Sequence, residues 1–182
     1  QGHVPARACG FKSRPRHQTE ARKGLVSLMR LLLSRRLSRL EDTQALAEEV
    51  LGLLPRGALV AIEGPLGAGK TTFVGFLVRA LGFPGRVTSP TYTLIHTYPT
   101  PEGPVVHADL YRLKDPSLLL GQLEAALEGA RLGLVEWGEP HLLGASHLLR
   151  LSPEGEARRA ELWEVGPGEE KLAHVIGGAD AA

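Results

Sequence analysis

The stretch that decides the fold runs from residue 59 to residue 81 and reads LVAIE GPLGAGKTT FVGFLVRAL. Its first five residues form a short apolar run that is typical of a buried parallel strand. Its last nine residues place apolar side chains at helical spacing. The glycine-rich segment between them contains the pattern G-x-x-x-x-G-K-[ST] at residues 64–71, which is called the phosphate loop below. A loop of this kind between a strand and a helix predicts an α/β fold that binds a nucleotide.

Each part of the phosphate loop suits a different part of a nucleotide. The glycines let the backbone curl so that its N–H groups point at phosphate oxygens, and the following helix adds its N-terminal donors. Lys70 is expected to reach the β- and γ-phosphates, while the Thr71 hydroxyl ligates Mg²⁺. We therefore expect ATP and Mg²⁺ as ligands. The residues predicted to bind the nucleotide are Gly64, Leu66, Gly67, Ala68, Gly69, Lys70, Thr71 and Thr72, with Ser89 and Thr91 from a later segment.

Two acidic residues each end a predicted strand later in the chain. Asp109 follows an apolar run that starts at Val105, and Glu136 follows another that starts at Leu132. Ligands of open α/β sheets gather at the carboxyl ends of the strands, so both carboxylates are expected beside the phosphate loop. One of them can hold the metal while the other orients or deprotonates the attacking water. The predicted catalytic residues are Lys70, Asp109 and Glu136, and the predicted metal ligands are Thr71, Asp109 and Glu136.

Three further features allow two interpretations each. The segment Thr88–Thr91 could sense the γ-phosphate as a switch or form an ordinary Ser-Pro turn. His107 alternates with Asp109 on one strand face and could be a ligand, but it is expected to be a packed or surface histidine. Trp137 could cover the site, but the pattern favours a place in the core.

The remaining patterning predicts the rest of the domain. Residues 1–28 carry six Lys or Arg against one acid and lack sustained periodicity, so we expect a basic, disordered extension before a domain at 29–165 and a flexible tail at 166–182. The other predicted elements are an edge strand at 29–34, a helix at 43–54 capped by Ser38 or Asp42, an antiparallel strand at 92–98, a helix from Asp115 to Gly129, and closing strands at 148–151 and 160–165.

Composition excludes several classes of protein. The net charge is +1, and outside the basic extension acids outnumber bases, which does not favour nucleic-acid binding. Cys9 is the only cysteine, so neither an internal disulfide nor a cysteine-based zinc site is possible, and a cytoplasmic location is expected. No apolar run approaches the roughly 18–20 residues of a membrane span.

Four motifs in order resemble one family. They are Gly67–Phe73 (GAGKTTF), Ser89–Leu94 (SPTYTL), His107–Leu113 (HADLYRL) and Val135–Trp137 (VEW), and together they resemble the bacterial TsaE proteins of tRNA threonylcarbamoyladenosine biosynthesis. The resemblance covers residues 29–165. It implies a P-loop NTPase-like three-layer α/β fold, with a central parallel sheet flanked by antiparallel strands. Gly138 departs from the proline that is common after this tryptophan.

The resemblance also implies roles and partners. Thr71 and Asp109 would serve Mg²⁺, Glu136 would support hydrolysis, and residues 89–91 would act as a switch. TsaE-like proteins work with TsaD and TsaB, which transfer the threonylcarbamoyl group to adenosine 37 of tRNA. The ATPase resets that complex between turnovers, so tRNA is met only indirectly.

Two other functions fit the phosphate loop. A small-molecule or nucleoside kinase would need arginines over its acceptor, and the late cluster Arg150, Arg158 and Arg159 is the candidate for them. A module that binds ATP without cleaving it would keep the loop and lack a working carboxylate.

Overall fold

The computed structural model describes residues 29–90, 92–115 and 117–166. The predicted extension with Cys9 and the predicted tail after residue 166 lie outside these residues, and the domain boundaries therefore stay predictions. The elements in chain order are β1 (Met29–Leu37), α1 (Leu40–Leu53), β2 (Ala58–Glu63), α2 (Lys70–Ala80), β3 (Ile95–Tyr98), β4 (Val105–Asp109), α3 (Ser117–Leu127), β5 (Leu132–Glu136), α4 (Pro140–Leu143), β6 (His147–Glu154) and β7 (Ala157–Val165).

The seven strands form one sheet in the order β1-β7-β6-β2-β5-β4-β3. The four central strands β6, β2, β5 and β4 are parallel to one another. The pairs β1–β7, β7–β6 and β3–β4 are antiparallel. The predicted central parallel sheet with flanking antiparallel strands is therefore confirmed.

The strands direct apolar side chains to both faces of the sheet, and helices therefore cover both faces. Val60 and Ile62 of β2 face a core that also contains Leu46 of α1 and Phe73 of α2. On the other face, a second cluster packs β4 and β5 against Leu123 of α3. The result is three layers, as the resemblance implies. No helix in the described ranges is long and apolar enough to cross a membrane.

Register places the ends of three central strands side by side. Ile62 of β2 is level with Glu136 of β5, and Glu136 is level with Asp109 of β4. Since these strands are parallel, the two carboxylates and the start of the phosphate loop share one edge of the sheet. This edge is the one predicted from the sequence.

Several element boundaries differ from the predicted ones, and two of these differences have clear local reasons. The strand predicted from Tyr92 begins at Ile95, because Leu94 has a φ of 65° and its amide donates to the Pro90 carbonyl at 2.8 Å, which makes a turn. α1 begins at Leu40, with Arg39 and not Ser38 or Asp42 at the N-cap position.

The Asp42 side chain still stabilises the start of α1. It accepts hydrogen bonds from the backbone amides of Ser38 and Arg39, each at 2.8 Å. These hydrogen bonds lower the pKa of Asp42, the one from Arg39 contributing most.

Candidate nucleotide-binding site

The phosphate loop connects the end of β2 directly to the start of α2, with no other helix or strand between them. Gly64 must be a glycine, since a Cβ there would lie 2.7 Å from the Leu151 carbonyl oxygen on β6. Gly69 precedes the helix with a φ of 97°, a left-handed conformation that glycine adopts without strain. Leu66 is exposed at the tip of the loop, whereas Ala68 is buried beneath it. The backbone is thus shaped by its glycines, while the exposed tip remains accessible.

The Lys70 side chain folds back onto the backbone at the start of the phosphate loop. Its ammonium donates to the carbonyls of Gly64 at 2.7 Å and Pro65 at 2.9 Å. Burial lowers the pKa of Lys70, and the nearby carboxylates of Glu136 and Asp109 oppose that shift. A cation so close to the loop backbone and two carboxylates is positioned for the charge of a phosphate chain.

Thr71, Glu136 and His107 form a hydrogen-bonded chain behind the loop. The Thr71 hydroxyl donates to Oε1 of Glu136 at 3.2 Å, and Nε2 of His107 lies 2.8 Å from the same oxygen. His107 is fully buried and Glu136 is 3% exposed. Of the packed and surface positions expected for His107, the structure shows the packed one. Its contact with Glu136 could not be predicted from alternation along the strand.

Asp109 is hydrogen-bonded to the segment at residues 88–91, which the sequence offered as a possible switch. Ser89 donates its hydroxyl to Oδ2 of Asp109 at 3.0 Å, and the Tyr111 amide donates to Oδ1 at 2.9 Å. Thr91 lies outside the described residues. Thr72 is exposed on the first turn of α2. The structure therefore brings Lys70, Thr71, Asp109, Glu136 and Ser89 to one end of the sheet.

Trp137 covers the site, so the preference for a core position was wrong. Its ring centroid lies 4.3 Å from the Lys70 ammonium, within cation–π distance, and 4.8 Å from the Tyr111 ring. The residue is 37% exposed and has a φ of 62°. Left-handed backbone is strained for a bulky residue and is found where surrounding contacts impose it, often at functional sites.

Arg158 on β7 is a neighbour of the loop that sequence reasoning treated only as part of a basic cluster. Its guanidinium donates to the Gly67 carbonyl at 3.5 Å. The other two arginines of that cluster are occupied, Arg150 by Glu63 at 3.0 Å and Arg159 by Glu154 at 2.8 Å. The sequence alone does not distinguish Arg158 from Arg150 and Arg159, because its position beside the loop depends on the pairing of β7 with β6.

The donor set fits magnesium held together with a nucleotide. In the described part of the chain, no cluster of three or more His, Cys, Asp or Glu side chains could bind a metal alone. The site instead offers one hydroxyl, on Thr71, and the carboxylates of Asp109 and Glu136. Magnesium is usually bound by one or two carboxylates plus phosphate oxygens and water. An all-oxygen site with few protein ligands, beside a loop built for phosphate, meets that preference.

Comparison with known proteins points to one family. The model of "Threonylcarbamoyl adenosine biosynthesis protein TsaE" matches residues 37–160, which is more than half of the chain. Proteins named tRNA threonylcarbamoyladenosine biosynthesis protein TsaE include one from Aquifex aeolicus, 49% identical over 77 residues, and one from Bacillus subtilis, 40% identical over 103 residues. These matches cover 41% and 57% of this chain and 58% and 63% of the respective relatives, less than two thirds of either relative.

A solved structure has the same fold. The crystal structure of YdiB from Bacillus subtilis is similar with a TM-score of 0.55 and 27% identity, and the match covers 84% of this chain and 99% of that one. The described sheet therefore corresponds to a fold already observed by crystallography.

Proposed function

We propose that this chain, which belongs to the TsaE family, is a magnesium-dependent ATPase that serves tRNA threonylcarbamoyladenosine biosynthesis. The observation that carries the proposal is the contact between the Thr71 hydroxyl and Glu136, beside the phosphate loop and one strand away from Asp109. A threonine that follows the loop lysine and meets a carboxylate is the pairing that a hydrolytic nucleotide site needs.

Binding of ATP would depend on the loop and on Lys70. The amides of the loop and the first turn of α2 would donate to the phosphate oxygens. The Lys70 ammonium, now on the carbonyls of Gly64 and Pro65, would turn toward the terminal phosphates. That exchange replaces hydrogen bonds from the ammonium to neutral carbonyls by hydrogen bonds to negatively charged phosphate oxygens, so that both partners carry charge.

Hydrolysis would be the work of the carboxylates. Mg²⁺, when bound, would offset the negative charge that develops on the phosphate oxygens. Thr71 and Asp109 would hold it, and Glu136 would orient a water and accept its proton as the water oxygen bonds to the γ-phosphorus and the bond to ADP breaks. His107 would keep Glu136 in place through its 2.8 Å contact.

The same resemblance supplies the partners. We propose that hydrolysis resets a complex of TsaD and TsaB in the cytoplasm, and that tRNA is met through that complex. The domain outside the basic extension has more acids than bases, so direct binding to a polyanion is not favoured.

ADP release by the purified chain with ATP and Mg²⁺ tests the proposal. We expect slow turnover alone and faster turnover when TsaB and TsaD are added together. Depleting the protein from cells should lower threonylcarbamoyladenosine in tRNA, measured by mass spectrometry of nucleosides. Fast turnover that ignores TsaB and TsaD, with unchanged tRNA modification, would overturn the proposal.

A kinase for a small molecule or nucleoside is the second candidate, and Arg158 beside the phosphate loop is the observation that favours it. Arg150 and Arg159 are held in ion pairs and are poorly placed to clamp an acceptor. Stoichiometric transfer of phosphate from ATP to one metabolite would support the kinase over the ATPase.

A passive ATP binder is the third possibility, and it predicts no ADP release that depends on Glu136.

A further inference from the structure

We propose that His107 is a positioning residue for hydrolysis, which holds one oxygen of Glu136 so that the other is left for the attacking water. The contact between the two side chains does more than keep Glu136 in place, because it selects the carboxylate oxygen that accepts the proton. This inference rests on the proposed function, since it concerns the base of that reaction. Neither the family description nor the names of the relatives assigns a role to this histidine.

Both hydrogen bonds that the described residues make to the Glu136 side chain end on the same oxygen. The Thr71 hydroxyl lies 3.2 Å and Nε2 of His107 lies 2.8 Å from Oε1. Within the described ranges, Oε2 has no hydrogen-bond partner. A carboxylate oxygen offers two lone pairs, so two donors occupy Oε1. Oε2 is therefore the oxygen with free lone pairs, and it would accept the proton of the attacking water.

The two donors reach Glu136 from different parts of the fold. Thr71 belongs to the first turn of α2 and follows any movement of the phosphate loop, whereas His107 lies on β4, a strand inside the sheet. His107 is level with Leu134 of β5 and with His96 of β3, and its side chain is fully buried. A side chain held on a strand that is paired on both sides keeps its position when the loop changes. His107 is therefore the donor that fixes Glu136 with or without a nucleotide.

The surroundings of the His107 ring decide which of its nitrogens carries the proton. An ionised carboxylate only accepts hydrogen bonds, so the nitrogen that contacts Glu136 must be the donor, Nε2–H. Nδ1 is buried and has no hydrogen-bond partner among the residues that the structure describes. A proton on Nδ1 would leave a buried N–H without an acceptor, which costs free energy. The ring is therefore the Nε2–H tautomer, with no proton on Nδ1.

His107 is a polar exception among apolar neighbours along β4. Val105, Val106 and Ala108 are all 0% exposed, as is His107 itself. A hydrophobic residue at this position would avoid burying a nitrogen without a partner, which is unfavourable. Natural proteins break such packing rules mainly at functional sites. Stability alone therefore does not explain the histidine, whereas a contact with the base does.

Turnover and binding, measured on the same samples, test the proposal. His107→Leu removes the donor, and we expect ADP release to fall roughly 10- to 100-fold, because misplacing a reacting group by about 1 Å can cost about 100-fold. ATP affinity, measured by calorimetry with Mg²⁺, should stay within about threefold of the wild type, since the loop and Lys70 are unchanged. His107→Gln restores an N–H donor and should release ADP at least about fivefold faster than His107→Leu. His96→Leu, opposite His107 on β3, is the matched control and should behave as the wild type does.

A double-mutant cycle tests whether His107 acts through Glu136. In a chain that already carries Glu136→Gln, adding His107→Leu should change ADP release by less than about twofold, because residues that act as a unit are not additive. A purely structural role of His107 would instead lower turnover by the same factor in both backgrounds. Urea unfolding of each variant checks that the compared proteins are folded.

Nitrogen NMR of the histidine rings reads the tautomer in the wild-type chain without nucleotide and needs no activity. We expect Nε2–H for His107, whose signals are identified by their loss in His107→Gln. A proton on Nδ1, equal losses in both backgrounds of the cycle, or normal turnover of His107→Leu would each overturn the positioning role. A wild-type chain that has the Nε2–H tautomer and yet releases no ADP would instead refute the proposed function itself.

Discussion

The Thr71 hydroxyl donates a hydrogen bond to Glu136 across 3.2 Å, although the two residues are 65 positions apart in the chain. The contact joins the first turn of α2 to the end of β5. Since Thr71 follows the loop lysine directly, any movement of the loop that displaces Thr71 also changes the surroundings of Glu136. One hydrogen bond therefore links the phosphate loop to Glu136, the candidate general base.

Glu136→Gln should separate binding from hydrolysis. The amide oxygen can still accept from Thr71, so we expect ATP affinity within about threefold of the wild type. Turnover should fall roughly 100-fold or more, because general base catalysis contributes about 10²–10⁴-fold. ADP release and calorimetry on the same samples measure the two effects. Glu124→Gln, an exposed change on α3, is the control, and equal turnover in all three proteins would remove Glu136 from the mechanism.

Lys70→Ala should weaken nucleotide binding itself. A hydrogen bond to a charged group contributes about 1.5–3 kcal/mol, so we expect ATP affinity to fall roughly 10- to 150-fold. Calorimetry with ATP and Mg²⁺ gives the value. Lys114→Ala removes an exposed lysine elsewhere and should bind as the wild type does. If both variants bind alike, the loop lysine does not contact the phosphates.

Trp137 should report nucleotide binding by its fluorescence. Its ring lies 4.3 Å from the Lys70 ammonium, and movement of that cation toward phosphate would change the electric field on the indole. Trp163 on β7 is the other tryptophan, so Trp163→Phe leaves Trp137 as the only fluorophore. We expect that variant to keep the ATP-dependent change and Trp137→Phe to lose it. A signal that follows Trp163 instead would contradict the arrangement at the site.

His147 should make stability fall in mild acid. Burial lowers its pKa below the ordinary 6.5, while Glu164 opposes the shift. Below pH 6.5 the unfolded chain therefore binds a proton that the folded chain resists, and stability decreases as the pH falls until it passes the folded pKa. Urea unfolding between pH 5 and pH 8 would measure the slope. His147→Gln should flatten it, and an unchanged slope would assign the effect to other groups.

Gly64→Ala should destabilise the domain. The added Cβ would lie 2.7 Å from the Leu151 carbonyl and 3.1 Å from the Ala68 Cβ, so backbone must move. We expect a loss of about 1–3 kcal/mol in the free energy of unfolding. Gly121→Ala, in the middle of α3 with open space around it, should gain about 0.5–1 kcal/mol. Equal stability of the two variants would mean that the β6 backbone at Leu151 moves at little cost in free energy.

Much of the fold was predictable because its signals are local. The apolar run before the glycine loop and the helical spacing after it predict β2 and α2 without any distant contact. Asp109 and Glu136 follow from one rule, that parallel strands bring their carboxyl ends to one edge. The Ser89 contact with Asp109 depends on how a loop folds back, and no periodicity encodes that.

The missed features arise from tertiary contacts. Trp137 follows an apolar strand, and a large aromatic residue there usually packs in a core. Its left-handed backbone directs it over Lys70 instead, a conformation that its residue type does not signal. Arg158 could be placed at the loop only by knowing that β7 lies next to β6. The late start of the strand predicted from Tyr92, which begins only at Ile95, has the same origin, since the Leu94 amide donates to the Pro90 carbonyl.

The central place of β2 has a consequence for how the protein is made. Ala58 pairs with Leu132 and Val60 with His147, so the strand that carries the phosphate loop is synthesised long before either neighbour. At roughly 5–20 residues per second, the ribosome leaves this apolar strand unpaired for several seconds. A growing chain that stalls before β6 would expose it to aggregation, and Gly64 would lack the Leu151 backbone against which it packs. The loop can therefore take its final shape only after β6 has been synthesised.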